Sequence, residues 1–396
     1  RQEFRIVEPV KISYPVVVEG QYPTPPEEPL PQSKTHEQML RVKLNLFLSD
    51  HSSNLVFPQF NEPAVSIVIP TFNKVEYLYQ CLESILMYAD VPFELIIADD
   101  CSSDATPNLL RKCKNAEILR NEENLEFIRT CNRGASLAKG RYILFLNNDV
   151  TITAQSLSTL VATMERYQKC GAVGVKLVRM DGTLQEAGSI IWKDGSALGY
   201  GRGDDPLKPE YCYLREVDYC SAACLIVRTD LFQKLGGFDE LYLPAYYEDS
   251  DLCFGIWKLG YKVIFQPRVT VFHHEFGSRS FDRAEALCQI NRQKFEKKWA
   301  SNLWGQGIPG DFLRGRDRRQ GKRVLVIDDQ VPAPHLGIGL PRARRMLAFL
   351  SELGYAVTFL PLINPTPWQP ATHQLQQTGV EVFYGDSFKP EEFLRG

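Results

Sequence analysis

Apolar runs and amphipathic stretches alternate along most of this chain, and the period changes from one to the next. "VSIVIP", ended by Pro70, is a short apolar run of the kind that fills a buried strand. A helix is predicted next, with Leu78, Cys81, Leu82, Ile85 and Leu86 at spacings of 3, 4, 7 and 8, which puts them on one face. "FELIIADD" is a second strand, "SSDATPNLLRKC" a helix start and "AEILR" a third strand. "EFIRTCNRGASLAKG" reads as a helix stopped by Gly140, and "RYILFLNND" as the fourth strand. A mixed region runs from Thr151 to Val217. Then come a strand in "YCSAACLIV", a short helix stopped by Gly236-Gly237, a helix in "SDLCFGIWKLGY", strand-like "KVIFQP" and "VTVFHHE", and a helix over 283–299. Strands alternating with helices predict an α/β fold with a mostly parallel central sheet.

The flanks differ. Residues 1–34 are rich in Pro, Glu and Val and read as an extended arm. Leu40, Leu44, Phe47 and Leu48 share one face of a short helix over Glu37–Leu48, suited to packing on the main domain. "GQGIPGDFLRGRDRRQGKR" reads as a basic connector, either solvated or turned toward an anionic membrane surface. From Lys322, "RVLVIDD", a helix in "PRARRMLAFLSELGY" and "AVTFLPL" begin a new βαβ unit, too short by Gly396 for a complete doubly wound domain. The expected division is an arm with a helix over 1–62, a main domain over 63–302, a linker over 303–321 and a partial Rossmann-like segment over 322–396.

Composition narrows the function classes. A net charge of −3 gives no electrostatic footprint for nucleic acid. A hydrophobic fraction of 44% supports a full core, and no apolar run approaches the ~20 residues of a membrane span. The ten cysteines are scattered without a CxxC pair; Cys81, Cys131 and Cys253 fall in apolar patterns and read as reduced core residues of a cytosolic protein.

Candidate chemistry lies where apolar runs stop. Thr71-Phe72-Asn73, Asp99-Asp100, Asn147-Asn148-Asp149 and His273-His274 end predicted strands, and Glu248-Asp249-Ser250-Asp251 opens a predicted helix. Each has a plain reading: Asn and Asp make turns, acids cap helices, and a histidine in an apolar strand is commonly a core residue. Together they trace a polar site along the carboxyl edge of one sheet, where open α/β sheets bind ligands. There is no GxxxxGK[ST], and no GxGxxG after a strand, so a diphosphate there would be neutralised by a divalent cation, Mn²⁺ or Mg²⁺, held by an Asp and a His. Few protein ligands are expected, because phosphate oxygens fill the remaining positions.

The order "VSIVIPTFN…FELIIADDCSSD…NEENLEFIRTCNRGASLAKGRYILFLNNDV…GGFDE…YYEDSDLCFGIWKLGYKVIFQP…VFHHEFGS" resembles the inverting family 2 glycosyltransferases of the GT-A fold, over Pro63 to about Asn302. It is most similar to the bacterial branch that builds cell-surface polysaccharides, rhamnosyltransferases among them. Residues 322–396 look like the start of a GT-B glycosyltransferase domain. The resemblance implies that Pro70, Thr71 and Asn73 line the nucleotide pocket, that Asp100 hydrogen-bonds the pyrimidine, and that Asn124 and Arg129 contact base and diphosphate. Asn147-Asn148-Asp149 takes the family's Asp-x-Asp position, with Asn148 beside the donor and Asp149 on the metal. Here the first Asp is replaced by Asn147. His273 matches the late metal-ligand His, and Asp249, beside Glu248, matches the catalytic base.

The implied activity is transfer of a sugar from a UDP- or dTDP-linked donor to a hydroxyl of a glycan or lipid-linked glycan acceptor, in the cytoplasm or at the inner face of the membrane, with a GT-B domain downstream. Two other readings compete: a non-catalytic sugar-nucleotide or glycan-binding module, and a scaffold that presents the downstream domain. Consumption of donor separates an enzyme from either. Asp249, at a helix start, is expected to be held ionised by the helix dipole.

Overall fold

The computed structural model describes residues 33–275, 281–319, 322–333 and 340–385. The predicted arm therefore lies outside the described residues except for its helix, α1 (Ser33–Ser49). That helix buries Leu40 and Leu44, with Phe47 and Leu48 packed at the margin. After it run β1 (Val65–Thr71), α2 (Val75–Tyr88), β2 (Phe93–Asp99), α3 (Thr106–Arg111), β3 (Glu117–Arg120), α4 (Glu126–Ala135) and β4 (Tyr142–Leu146). The mixed region and the rest of the main domain resolve into β5 (Val150–Thr151), α5 (Ser156–Arg166), β6 (Cys170–Arg179), β7 (Leu184–Ala187), β8 (Arg215–Glu216), β9 (Cys224–Arg228), α6 (Thr229–Leu235), α7 (Glu248–Lys258), β10 (Lys262–His273) and α8 (Phe281–Leu303).

These strands build one ten-stranded sheet in the order β8-β10-β6-β9-β4-β1-β2-β3, with β5 on β10 and β7 on β6. β3, β2, β1 and β4 run parallel, and β6 and β10 run parallel to each other. β9 is antiparallel to both of its neighbours, so those two parallel sets point the same way. The expected mostly parallel α/β sheet is present. Its central strands are buried along their whole length. Two apolar layers arise from the pleat: Ile67 and Ile69 face α2 and α5, while Val68 faces α4, α7 and α8. Each fully buried aliphatic side chain contributes about 1.5–3 kcal/mol.

Two expectations are corrected. Helix α4 ends at Ala135, short of Gly140. Gly140 is needed for close approach instead: its N–H donates to Ser66 Oγ at 2.8 Å, and a Cβ there would lie 2.7 Å from the Ser66 backbone nitrogen. "KVIFQP" and "VTVFHHE" form a single strand, β10, because a register shift between Gln266 and Thr270 lets Pro267 sit where no ladder donor is needed.

A separate three-stranded parallel sheet, β11 (Arg323–Gln330), β12 (Ala356–Asn364) and β13 (Glu381–Val382), comes next, with α9 (Leu340–Glu352) between β11 and β12. The basic stretch that joins it to the main sheet is not simply solvated. Arg316 is buried and donates to the buried Glu381 carboxylate at 2.9 Å, and its carbonyl accepts from Arg215. Arg318 pairs with Asp218 and Arg319 with Asp317. These guanidinium groups are turned inward and hold β13 against the main sheet. Glu381→Ala should therefore cost about 3–5 kcal/mol, the usual effect of stranding a buried charge. Urea unfolding checks it, with limited proteolysis expected to cut the 322–385 region first.

Candidate active site

The carboxyl ends of β1, β2 and β4 open on one cavity of about 390 Å³. Pro70, Thr71, Asp100, Asn124, Asn148, Asp149, Glu248, Asp249 and His273 all line it. Asn73 and Arg129 do not.

At the β2 end the two aspartates divide their roles. Asp99 is fully buried, pairs with Arg120 and accepts the Ser102 N–H at 3.0 Å, so it ties a loop. Asp100 faces the cavity, its Oδ1 held by the Leu125 N–H at 2.7 Å and Asn121 Nδ2 at 2.8 Å. Asn124 accepts the Glu126 N–H at 2.9 Å, which shapes the loop into α4. Asn73 has φ +57°, a left-handed conformation that Asn tolerates. Its Oδ1 accepts the N–H groups of Ser103 and Asp104 at 2.8 and 3.2 Å, fastening the β1 loop to the β2 loop. Asn148 Nδ2 donates to Thr71 Oγ1 at 3.0 Å and to the Asn73 carbonyl at 3.3 Å. Arg129 pairs with Glu240 at 2.9 Å, both side chains about half exposed.

Asn147-Asn148-Asp149 is both a turn and a site. The Val150 N–H donates to the Asn147 carbonyl at 3.1 Å, closing the turn. Asn147 lines the cavity, and its Oδ1 is buried with no hydrogen-bond partner among the described residues. Beyond the turn, β5 pairs with the end of β10, Val150 opposite His273. That brings His273 Nε2 to 3.1 Å from Asp149 Oδ1, while Nδ1 lies 2.8 Å from Gln185 Oε1. Burial opposes protonation of His273, but the Asp149 carboxylate outweighs it and holds the pKa above the ordinary histidine value. His274 points elsewhere: its ring stacks on Tyr77 and His36, its Nε2 meets Gln80, and burial pushes its pKa down to about 4.

The Asp149–His273 couple is a reasonable pair of divalent-cation ligands, with Gln185 orienting the imidazole as outer partners do. Among the described residues no cluster of three or more His, Cys, Asp or Glu side chains has metal-binding geometry.

Across the cavity, Tyr246 and Tyr247 carry φ of +75° and +74° immediately before α7. Strained non-glycine backbone of this kind persists where the surroundings over-determine it, and it is frequent at functional sites. It delivers Glu248 and Asp249 to the cavity wall. Asp249 Oδ1 accepts the Ser250 N–H at 2.7 Å and Oδ2 the Ala222 N–H at 3.2 Å. Burial nevertheless raises its pKa, against these hydrogen bonds. The helix end is therefore not the dominant influence on Asp249: burial acts against it and is larger.

Gln185, Glu186 and Arg202 also line the cavity and were not expected. They come from the mixed region, where no strand-end pattern marks them.

Residues 66–236 match the sequence profile described as Glycosyl transferase family 2. This segment is similar to family 2 glycosyltransferase domains. It spans β1 through α6, and so holds every expected donor-side residue except His273. The chain is 30% identical over 268 residues to the uncharacterized protein y4gI of Sinorhizobium fredii, covering 63% of this chain and 29% of that protein. It is 29% identical over 245 residues to the O-antigen biosynthesis protein RfbC of Myxococcus xanthus, covering 59% and 19%. It is 26% identical over 253 residues to the N-acetylglucosaminyl-diphospho-decaprenol L-rhamnosyltransferase of Mycobacterium tuberculosis, covering 58% and 82%. The chain thus spans less than a third of the length of the first two relatives. Among the described residues no helix is long and apolar enough to cross a membrane.

With Arg129 engaged by Glu240 outside the cavity, Arg129→Ala should leave nucleotide affinity unchanged by calorimetry. It should lower stability by less than about 1 kcal/mol, as for other exposed pairs.

Proposed function

We propose that the chain is an inverting glycosyltransferase of cell-surface polysaccharide synthesis, using a UDP- or dTDP-sugar and a glycan or lipid-linked glycan acceptor at the cytoplasmic face of a membrane. The observation that carries this reading is one cavity lined both by the Asp149–His273 couple and by Asp249. Asp100, fixed by two donors, is suited to a pyrimidine edge, with Thr71, Asn124 and Asn148 around it. The relatives named for O-antigen synthesis and for rhamnosyl transfer to a diphospho-decaprenol support a surface glycan, and make dTDP-rhamnose the first donor to try.

The chemistry is a single displacement. An acceptor hydroxyl attacks the anomeric carbon, the new C–O bond forms as the bond to the nucleoside diphosphate breaks, and Asp249 takes the hydroxyl proton. Its raised proton affinity favours that role. Asp149 and His273 would hold Mn²⁺ or Mg²⁺, which would offset the charge of the leaving diphosphate. Asp100, Asp149, Glu186, Glu248, Asp249 and Glu275 make the walls acidic, so an anionic donor needs such a counter-charge. The C-terminal parallel sheet is read as the beginning of a GT-B-type domain.

Nucleotide release from a panel of UDP-, dTDP- and GDP-sugars tests the reading. Release is expected with a UDP or dTDP donor and a divalent cation; absence of turnover with every donor would leave a binding module. Asp249→Asn should slow transfer by about 10²–10⁴-fold with donor affinity little changed. A dead Glu248→Gln beside an active Asp249→Asn would move the base to Glu248.

In calorimetry, Asp149→Ala should abolish metal-dependent nucleotide binding. An unchanged metal requirement would remove Asp149 and His273 from the ligand set.

A further inference from the structure

Glu186 is a carboxyl for which the proposed mechanism has no use. It sits on β7, 6% exposed, in the wall of the cavity. Its Oε1 accepts the Ser221 N–H at 3.0 Å and its Oε2 the Ser189 hydroxyl at 2.9 Å. The next amide along, Ala222 N–H, goes to Asp249. Consecutive backbone donors thus hold two carboxyls near each other; the Asp249 charge raises the proton affinity of Glu186, and both raise that of Tyr219. Among the described residues, the cation acting on Glu186 through its charge is Arg202, which is itself engaged by Glu275. The other titratable groups around it are Asp249, His273, Tyr219, Cys220 and Cys253.

Two carboxylates buried together without a cation in contact are costly, and such pairs separate into one ionised and one protonated member. Asp249 accepts from three donors, the Ser250 N–H, the Ser250 hydroxyl and the Ala222 N–H, against two on Glu186, and the better-solvated member keeps the charge. We propose that Glu186 and Asp249 act as an unequal pair, in which Asp249 bears the charge and Glu186 stays protonated and donates a hydrogen bond through its O–H to a hydroxyl of the acceptor sugar. Glu186 is then a binding group for a polyhydroxyl acceptor, beside the hydroxyl that Asp249 deprotonates. Burial, which raises the Glu186 pKa to about 7 ahead of the Asp249 charge, is consistent with this division.

The inference rests on the acceptor-side reading of Asp249, but part of its test needs no turnover. Carboxyl ¹³C NMR titration of the substrate-free protein, with Glu186→Gln as the assignment control, should find Glu186 titrating near 7. Asp249→Asn should lower that midpoint by about one unit, because a like charge is removed. A Glu186 midpoint in the ordinary carboxylate range overturns the pair, whether or not the protein transfers sugar. In transfer assays, acceptor kcat/KM should decline above neutral pH as Glu186 ionises. Glu186→Gln, which keeps an N–H donor, should lose less than about tenfold at pH 7 and show no such decline, while Glu186→Ala should lose about 10–100-fold with donor affinity retained. A Gln variant with the wild-type pH profile, or one as impaired as the Ala variant, also overturns it. Failure of the wild type to consume any donor sinks the enzymatic reading alone and leaves the titration result to stand by itself.

Discussion

The site depends on a pairing of two residues with two others. Val150 and Thr151 hydrogen-bond antiparallel to Phe272 and His273, and the His274 N–H donates to the Asp149 carbonyl at 3.0 Å. Asp149 and His273, 124 positions apart, meet only because of it. The pairing requires β10 to reach that far, and β10 does so by absorbing Pro267 in a bulge rather than ending there. A strand that stopped at Gln266 would leave His273 on a loop, and the geometry of the couple would go with it.

Electrostatics then divides the cavity. On the β1–β2–β4 side, carboxylates are held by backbone and amide donors, as Asp100 is by Leu125 and Asn121. On the α7 side, desolvation raises proton affinity at Asp249 and Glu186.

Buried charge joins the C-terminal sheet to this arrangement, alongside neutral hydrogen bonds such as Gln266 Nε2 to Gln377 Oε1 at 3.0 Å. Arg316 and Glu381 are both buried, and Arg215, also buried, donates to the Arg316 carbonyl and the Ala187 carbonyl. Ala187 ends β7, the strand that carries Gln185 and Glu186. Covalent continuity and a buried ion pair thus connect the 322–385 region to one wall of the cavity.

Much was legible in order along the chain. A buried parallel strand is an apolar run, and its carboxyl end is where polar residues reach solvent or ligand again, so β1, β2 and β4 and the clusters at Thr71, Asp100 and Asn147-Asn148-Asp149 could be read without coordinates. Glycines at positive φ, such as Gly236 and Gly260, marked helix ends for the same local reason. What tertiary structure alone decided involves contacts between distant segments. Gly140 looked like a helix stop and is a point of contact with Ser66. Arg129 pairs with Glu240, 111 positions away, a partner that no local pattern names. The basic stretch looked solvated, yet Arg316 finds Glu381. Gln185 and Glu186 had no strand-end signature, because β7 is a short antiparallel strand in an irregular region whose place is set by pairing with β6. Local pattern records which face of an element is buried; it carries no record of which distant side chain will stand opposite, and that pairing fixed the partners of Asp149, His273 and Asp249.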